Sequence, residues 1–163
     1  MTKEEKDTSL DTNIIKPKTD ILNYGFKELS NGIKVLFISE PDTDMSSAAL
    51  CVNIDGLAEK KDEQGLAHFC EHLISMGSKK YPGENEYGKY IEENRGDYNA
   101  RTKEDKTVYY FGISNEAFEG ALDRFAHMLI SPTFNESSVE REIQAVDNEF
   151  SDSFNKDGKD LIN

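Results

Sequence analysis

Two histidines four positions apart, His68 and His72, are the residues of this sequence whose types and spacing could do chemistry. On a helix, side chains at positions i and i+4 lie one turn apart on one face, so both imidazoles could bind one metal ion. Glu71 lies on the same face and could act as the general base for a water molecule that the metal activates. A solvated polar helix face is the alternative interpretation of these three residues.

Two glutamates much later in the chain, Glu142 and Glu149, could complete such a site. They are two helical turns apart, so they project at nearly the same angle from one edge of a predicted helix and lean toward its interior side. A carboxylate in that position is costly unless a metal or hydrogen bonds compensate it. We therefore assign Glu149 as the third ligand and Glu142 as a group that orients a histidine or the metal-bound water. The alternative is that both are boundary carboxylates that reach solvent.

The helices that would carry these groups are predicted from the spacing of apolar residues. The first covers residues 65–76, because its apolar and polar side chains fall on opposite sides. Its apolar side consists of Leu66, Cys70, Leu73 and Ile74. The last begins with a capping box formed by Ser137 and Glu140. Its apolar stripe consists of Val139, Ile143, Val146 and Phe150.

The other elements follow from turn signals and alternation. Asn31-Gly32 predicts a β-hairpin, and the predicted strands are residues 26–29, 33–38, 47–55, 98–102 and 107–113. A helix covers residues 84–95, and another starts at Ser114 or Asn115 and ends before Pro132. The apolar residues of that second helix are Phe118, Leu122, Phe125 and Leu129. The order of elements predicts an α+β fold with helices packed on one face of a mainly antiparallel sheet.

The composition restricts the function classes. A net charge of −13 argues against nucleic acid and anionic membranes as partners, because both need basic surfaces. No apolar run is long enough for a membrane span, and no secretory signal is visible. The two cysteines, Cys51 and Cys70, suit reduced core thiols better than a disulfide framework. A cytoplasmic location is the resulting expectation.

A family resemblance covers roughly residues 24–160. Its motifs are Gly65-Leu66-Ala67-His68-Phe69-Cys70-Glu71-His72, Lys79-Lys80-Tyr81-Pro82, Glu84-Asn85-Glu86-Tyr87, Asn99-Ala100, Tyr109-Tyr110-Phe111, the run from Glu119 to Phe125, and Ala145-Val146-Asp147 with Glu149. In these motifs the chain resembles the insulin-degrading enzyme branch of the pitrilysin-type metallopeptidases.

The resemblance implies an activity and a set of site residues. His68, His72 and Glu149 would bind one Zn²⁺ per chain, and Glu71 would be the catalytic base of an endopeptidase that cleaves peptides of limited size. The strand edge at Asn99-Ala100 would pair with the extended backbone of a peptide substrate, which is β-augmentation. Residues 23–163 would then be an N-terminal zinc-binding peptidase domain, preceded by a flexible lead-in of residues 1–22.

The length departs from that family, since its members are several times longer than 163 residues. We therefore expect a first domain incomplete at its C-terminal end, without the opposite half of the enzyme, and poorly active alone. An open sheet edge could drive homo-oligomerisation. The alternative functions are a non-catalytic structural member of the same fold and a module that only captures extended peptides.

Overall fold

The structure is a computed structural model that describes residues 9–54, 59–60, 65–103 and 105–160, with side chains described as far as residue 151. The chain divides into two compact units between Thr43 and Asp44. Within the described part of the chain, none of the helices has the length and apolar character that crossing a membrane requires.

The N-terminal unit contains the predicted hairpin. Strand β1 (Asn23–Glu28) pairs antiparallel with β2 (Lys34–Ser39). The backbone N–H of Leu29 donates to the carbonyl of Ile33 at 2.8 Å, which closes the turn. Gly32 has a φ of +85° there, a conformation that glycine adopts at little cost. The Asn-Gly prediction is confirmed.

Part of the predicted lead-in lies against β1. Asp11 and Phe26 exchange two backbone hydrogen bonds, each of 2.8 Å. The Asp20 carboxylate accepts hydrogen bonds from the Leu22 N–H and the Tyr24 hydroxyl, both at 2.9 Å, and these bonds lower the pKa of Asp20. The flexibility of residues 1–22 stays a prediction.

The larger unit is built on a three-stranded antiparallel sheet. Its strands are β3 (Met45–Val52), β4 (Asp97–Thr102) and β5 (Thr107–Ser114), and β5 lies between the other two. On β5 the buried residues alternate with less buried ones, which is the pattern of a strand with one face on a core. In the register, Tyr109 lies opposite Leu50 on β3 and Ala100 on β4.

Among the described residues, four α-helices accompany this sheet. They are α1 (Leu66–Ile74), α2 (Glu86–Glu93), α3 (Phe118–Ile130), which follows a short 3₁₀ turn (Asn115–Ala117), and α4 (Glu136–Asp160). Helices α2 and α3 contact the sheet and each other, whereas α1 contacts both β4 and α4. The antiparallel sheets and packed helices confirm the predicted α+β class, with the hairpin as a separate two-stranded sheet.

The core lies between β5 and the helices α2 and α3. Ile91, Ile113 and Ala121 have no exposed surface. The ring of Phe111 lies 5.3 Å from that of Phe125 and 6.4 Å from that of Tyr87, measured between centroids. The sheet is thus held to the helices mainly by aromatic packing.

Several local predictions were wrong. On α4, Val139 and Val146 of the predicted stripe are half-buried, but Ile143 and Phe150 are 55% and 72% exposed and lie outside the core. That helix begins at Glu136, so Ser137 lies in its first turn instead of capping it.

Cys51 on β3 was also predicted wrongly. It is exposed, because it points away from the face of the strand that carries the half-buried Ala48, Leu50 and Val52. Ile54, which falls within the strand predicted over residues 47–55, lies beyond the end of β3 and is exposed. The predicted end of this strand at Asp55 lies outside the described residues.

Phe111→Ala should lower the free energy of unfolding by about 3–5 kcal/mol, because it removes a buried ring and leaves a cavity. Tyr110→Ala, on the opposite face of the same strand, is the matched control and should cost about 1 kcal/mol. Urea unfolding followed by circular dichroism measures both. Equal losses for the two variants would contradict the core described here.

Candidate metal centre

Helix α1 starts at a glycine and is capped by a distant glutamate. Gly65 has a φ of +91°, so a residue with a side chain would be strained there. The Glu59 carboxylate accepts hydrogen bonds from the N–H groups of Gly65 at 2.7 Å and Ala67 at 2.6 Å. These bonds satisfy free donors of the first turn, and the negative charge is favourable at a helix N-terminus. The start of the helix that carries His68 and His72 is thereby fixed.

Three donor atoms converge where α1 meets α4. The Nε2 atoms of His68 and His72 are 3.2 Å apart. The Oε2 atom of Glu149 lies 3.5 Å from the first and 3.7 Å from the second. Within the described residues, this is the group of three side chains whose ligand atoms all lie close enough together to hold a metal ion.

These three distances fit a tetrahedral zinc site. Ligands bound at about 2.0–2.1 Å to a tetrahedral zinc lie about 3.3–3.4 Å from one another. The observed separations of 3.2, 3.5 and 3.7 Å bracket that value. Two imidazoles and one carboxylate are also a donor set that catalytic zinc sites use, with the fourth position left open.

A hydrogen bond between α1 and α4 orients His72. Its Nδ1 lies 2.9 Å from Oε2 of Glu142. Because a carboxylate only accepts hydrogen bonds, Nδ1 must carry the proton, and the lone pair of Nε2 then points toward His68 and Glu149. Carboxylate partners of this kind fix the ring orientation of metal-binding histidines and raise their basicity.

The two glutamates of α4 differ in burial. The Glu142 side chain is 16% exposed, so the prediction that it leans toward the interior is confirmed. The Glu149 side chain is 55% exposed, so the prediction that it leans toward the interior was wrong. Glu149 nevertheless reaches both histidines, because it lies at the rim of the contact between α1 and α4.

Glu71 is held by the sheet. Its Oε2 accepts a hydrogen bond from the Thr102 hydroxyl at the end of β4. Thr102 Oγ1 lies 3.2 Å from Thr107 Oγ1, and the Thr107 hydroxyl donates to the Ile54 carbonyl at 3.2 Å. Although Glu71 precedes His72 in the chain, its carboxylate is not part of the three-residue cluster.

A cavity of about 480 Å³ opens between α1 and β4. Its polar lining includes His68, Glu71, His72, Asn99, Thr102 and Glu149. Buried aromatic residues, Tyr87, Tyr109 and Phe125, line it as well. Burial raises the pKa of Tyr87 and raises that of Tyr109 to about 12, so both phenols are neutral at physiological pH.

The edge strand β4 borders this cavity. It pairs with β5 on one side and, in the described part of the chain, with no strand on the other. Asn99 and Ala100 are on it and line the cavity beside the histidines. The structure therefore brings the residues predicted for substrate binding to the same place as those predicted for the metal.

Two residues of the site were missed at the sequence level. Glu59 lies in a charged loop, where nothing marks it as a helix cap. Thr102 lies 31 positions from Glu71, and its role depends on how β4 packs on α1. The sequence offered one signal for Thr102, which is a polar residue at the end of a predicted strand.

The sequence comparison identifies a family. Residues 34–161 match the family described as Insulinase (Peptidase family M16). The chain belongs to the insulinase family. It is 52% identical to the insulin-degrading enzyme of Homo sapiens over 136 residues, 83% of this chain and 13% of that protein. It is 48% identical over 135 residues to a Schizosaccharomyces pombe protein named as a zinc protease, covering 83% of this chain and 14% of that protein.

Solved structures of insulinase-family proteins share the fold. Pitrilysin superposes with a TM-score of 0.84 at 35% identity, over 89% of this chain and 16% of pitrilysin. A protease from Helicobacter pylori superposes with a TM-score of 0.72 at 25% identity, over 79% of this chain and 31% of that protein. The chain thus spans only a small part of the length of the proteins it matches.

The two cysteines should differ in reactivity. Cys51 is exposed, whereas Cys70 on α1 is half-buried and burial raises the pKa of its thiol. Because the thiolate is the nucleophile, Cys70 should react slowly with a disulfide reagent at pH 8, and its rate should rise only at higher pH than for an ordinary thiol. Comparing Cys51→Ser with Cys70→Ser measures each thiol separately.

The control is the same reaction in denaturant, where both thiols should react at similar rates. A Cys70 thiol that reacts as fast as Cys51 in the folded chain would contradict this assignment of burial.

Proposed function

We propose that this chain is the zinc-binding catalytic segment of an endopeptidase that hydrolyses peptides of limited size. The observation that carries the proposal is the convergence of Nε2 of His68, Nε2 of His72 and Oε2 of Glu149 at tetrahedral spacing. A cation placed among three such electron-pair donors would be attracted by all of them. Membership of the insulinase family, whose relatives include proteins named as zinc proteases, supports the proposal.

Each residue has a proposed role. His68, His72 and Glu149 would hold the metal, and Glu142 would keep His72 in the tautomer that binds it. A zinc ion held there would supply a Lewis acid and a bound water of lowered pKa. Glu71 takes a proton from the attacking water at a carboxylate oxygen and returns it to the leaving amine.

Asn99 and Ala100 are proposed to hold the substrate. A peptide that adds itself to the free edge of β4 would be extended, and its backbone would run past His68 and His72. Such binding selects peptides that can adopt a strand and depends little on their sequence. The same edge could pair with a second copy of the chain, which is the proposed route to a homo-oligomer.

The chain should bind one zinc ion, and the stoichiometry should depend on the proposed ligands. Glu149→Gln should weaken zinc binding by at least about 100-fold, because it removes a direct ligand. Loss of a group that only hydrogen-bonds to a ligand normally costs less than this. Glu142→Ala should weaken it by about 10- to 100-fold, because His72 loses the group that orients it. Titration against a fluorescent zinc chelator measures these affinities.

Glu140→Gln is the matched control, because Glu140 is an exposed glutamate on the same helix. It should leave zinc binding unchanged. A Glu149→Gln variant that binds zinc as tightly as the native chain would remove Glu149 from the site.

The zinc-loaded chain should cleave an internally quenched peptide slowly. We propose that full activity requires the rest of a longer enzyme, because the chain spans only 13–31% of the relatives described above. Glu71→Gln should lower this turnover by about 10²- to 10⁴-fold and leave zinc binding intact, because it removes only the base. Liquid chromatography of the products measures the rate.

The same assay separates the proposal from its alternatives. A module that only captures peptides would bind a non-cleavable peptide equally well before and after removal of zinc by a chelator. A structural member of the fold would bind no zinc. Turnover that is unaffected by Glu71→Gln would contradict the role of Glu71.

A further inference from the structure

We propose that Thr102 is a positioning residue that holds the Glu71 carboxylate off the metal, so that the site keeps an open coordination position. The inference rests on the proposed function and adds a role for a residue of β4. It starts from the contrast between Glu71, which is tied to the sheet, and Glu149, which joins the histidines.

The position of Glu71 on α1 creates a competition. It is the neighbour of His72 and is one turn from His68, so its carboxylate is within easy reach of any ion that the two histidines hold. A carboxylate oxygen is a good zinc ligand. With Glu71 bound in addition to Glu149, the ion would have four protein ligands, which is the closed coordination of structural zinc sites.

The Thr102 hydroxyl opposes that outcome. An ionised carboxylate can only accept, so the hydrogen bond between Thr102 and Glu71 uses the single proton of the threonine. Hydrogen bonds to a charged acceptor are about twice as strong as neutral ones. The bond engages Oε2 and leaves Oε1 available as a proton acceptor.

Thr102 is itself held in place. It lies directly opposite Thr107 in the register of β4 and β5, and the two hydroxyl oxygens are 3.2 Å apart. Thr107 is buried and donates its proton to the Ile54 carbonyl, or turns it toward Thr102. β-Branched side chains have few accessible χ1 rotamers, so the Thr102 hydroxyl is aimed at Glu71 with little entropy left to lose.

The test uses cobalt(II), which reports its coordination number in the visible spectrum, with thiocyanate as a probe of the open position. The native chain loaded with Co²⁺ should change its visible absorption when thiocyanate is added. Thr102→Val removes only the hydroxyl, so Glu71 should move to the metal. That variant should bind Co²⁺ on the order of tenfold more tightly and lose the thiocyanate response.

Thr102→Ser is the rescue variant, because it restores a hydroxyl at the same place. It should behave as the native chain in both measurements. In a Glu71→Ala background, Thr102→Val should change neither the Co²⁺ affinity nor the thiocyanate response, since no carboxylate remains to be released. Circular dichroism verifies that each variant is folded.

Distinct results overturn distinct claims. Unchanged Co²⁺ affinity and thiocyanate response in Thr102→Val overturn the role of Thr102 and leave the proposed function standing. An effect of Thr102→Val that persists in the Glu71→Ala background also overturns it, because Thr102 would then act through the fold. A chain that binds no Co²⁺ overturns the proposed function and this inference together.

Discussion

The candidate site depends on the contact between α1 and α4. The 2.9 Å hydrogen bond from His72 to Glu142 crosses that contact and joins residues 70 positions apart. It places the two helices so that Glu149, two turns further along α4, reaches the imidazoles from the rim. A buried carboxylate is costly without such a partner, so the bond both satisfies Glu142 and sets the tautomer of His72. Loss of this bond would leave His72 without the group that orients it toward the third donor.

The sheet carries the candidate-site residues that do not lie on α1 or α4. Strand β4 presents its open edge to the cavity through Asn99 and Ala100, and its last residue, Thr102, engages Glu71. The aromatic core around Phe111 holds β5 to the helices, and β5 in turn pairs with β4. The packing of this core, which extends to the cavity wall through Tyr87 and Phe125, therefore helps to set the distance between a peptide on the edge and the groups on α1.

The wrong predictions share one physical cause. Helical periodicity on α4 identified an apolar stripe containing Ile143 and Phe150, both of which are exposed. The covered side of α4 carries Ser138, Glu142 and Ala145, together with Val139 and Val146 from the predicted stripe. A periodic pattern shows that a helix has two faces, but the neighbours in space decide which one is buried. For the same reason, the strand that carries Cys51 was predicted, but Cys51 lies on its exposed face and was misjudged as a core thiol.

The sequence by itself determined the elements and the identity of the donors. Asn31-Gly32 specified the hairpin, and the spacing of His68, Glu71 and His72 specified one helical face, because both depend on local backbone geometry. Only the tertiary structure decided how Glu149 meets the histidines, that Glu59 caps α1 and that Thr102 holds Glu71. These contacts join residues from different elements, and their existence depends on packing that no local pattern encodes.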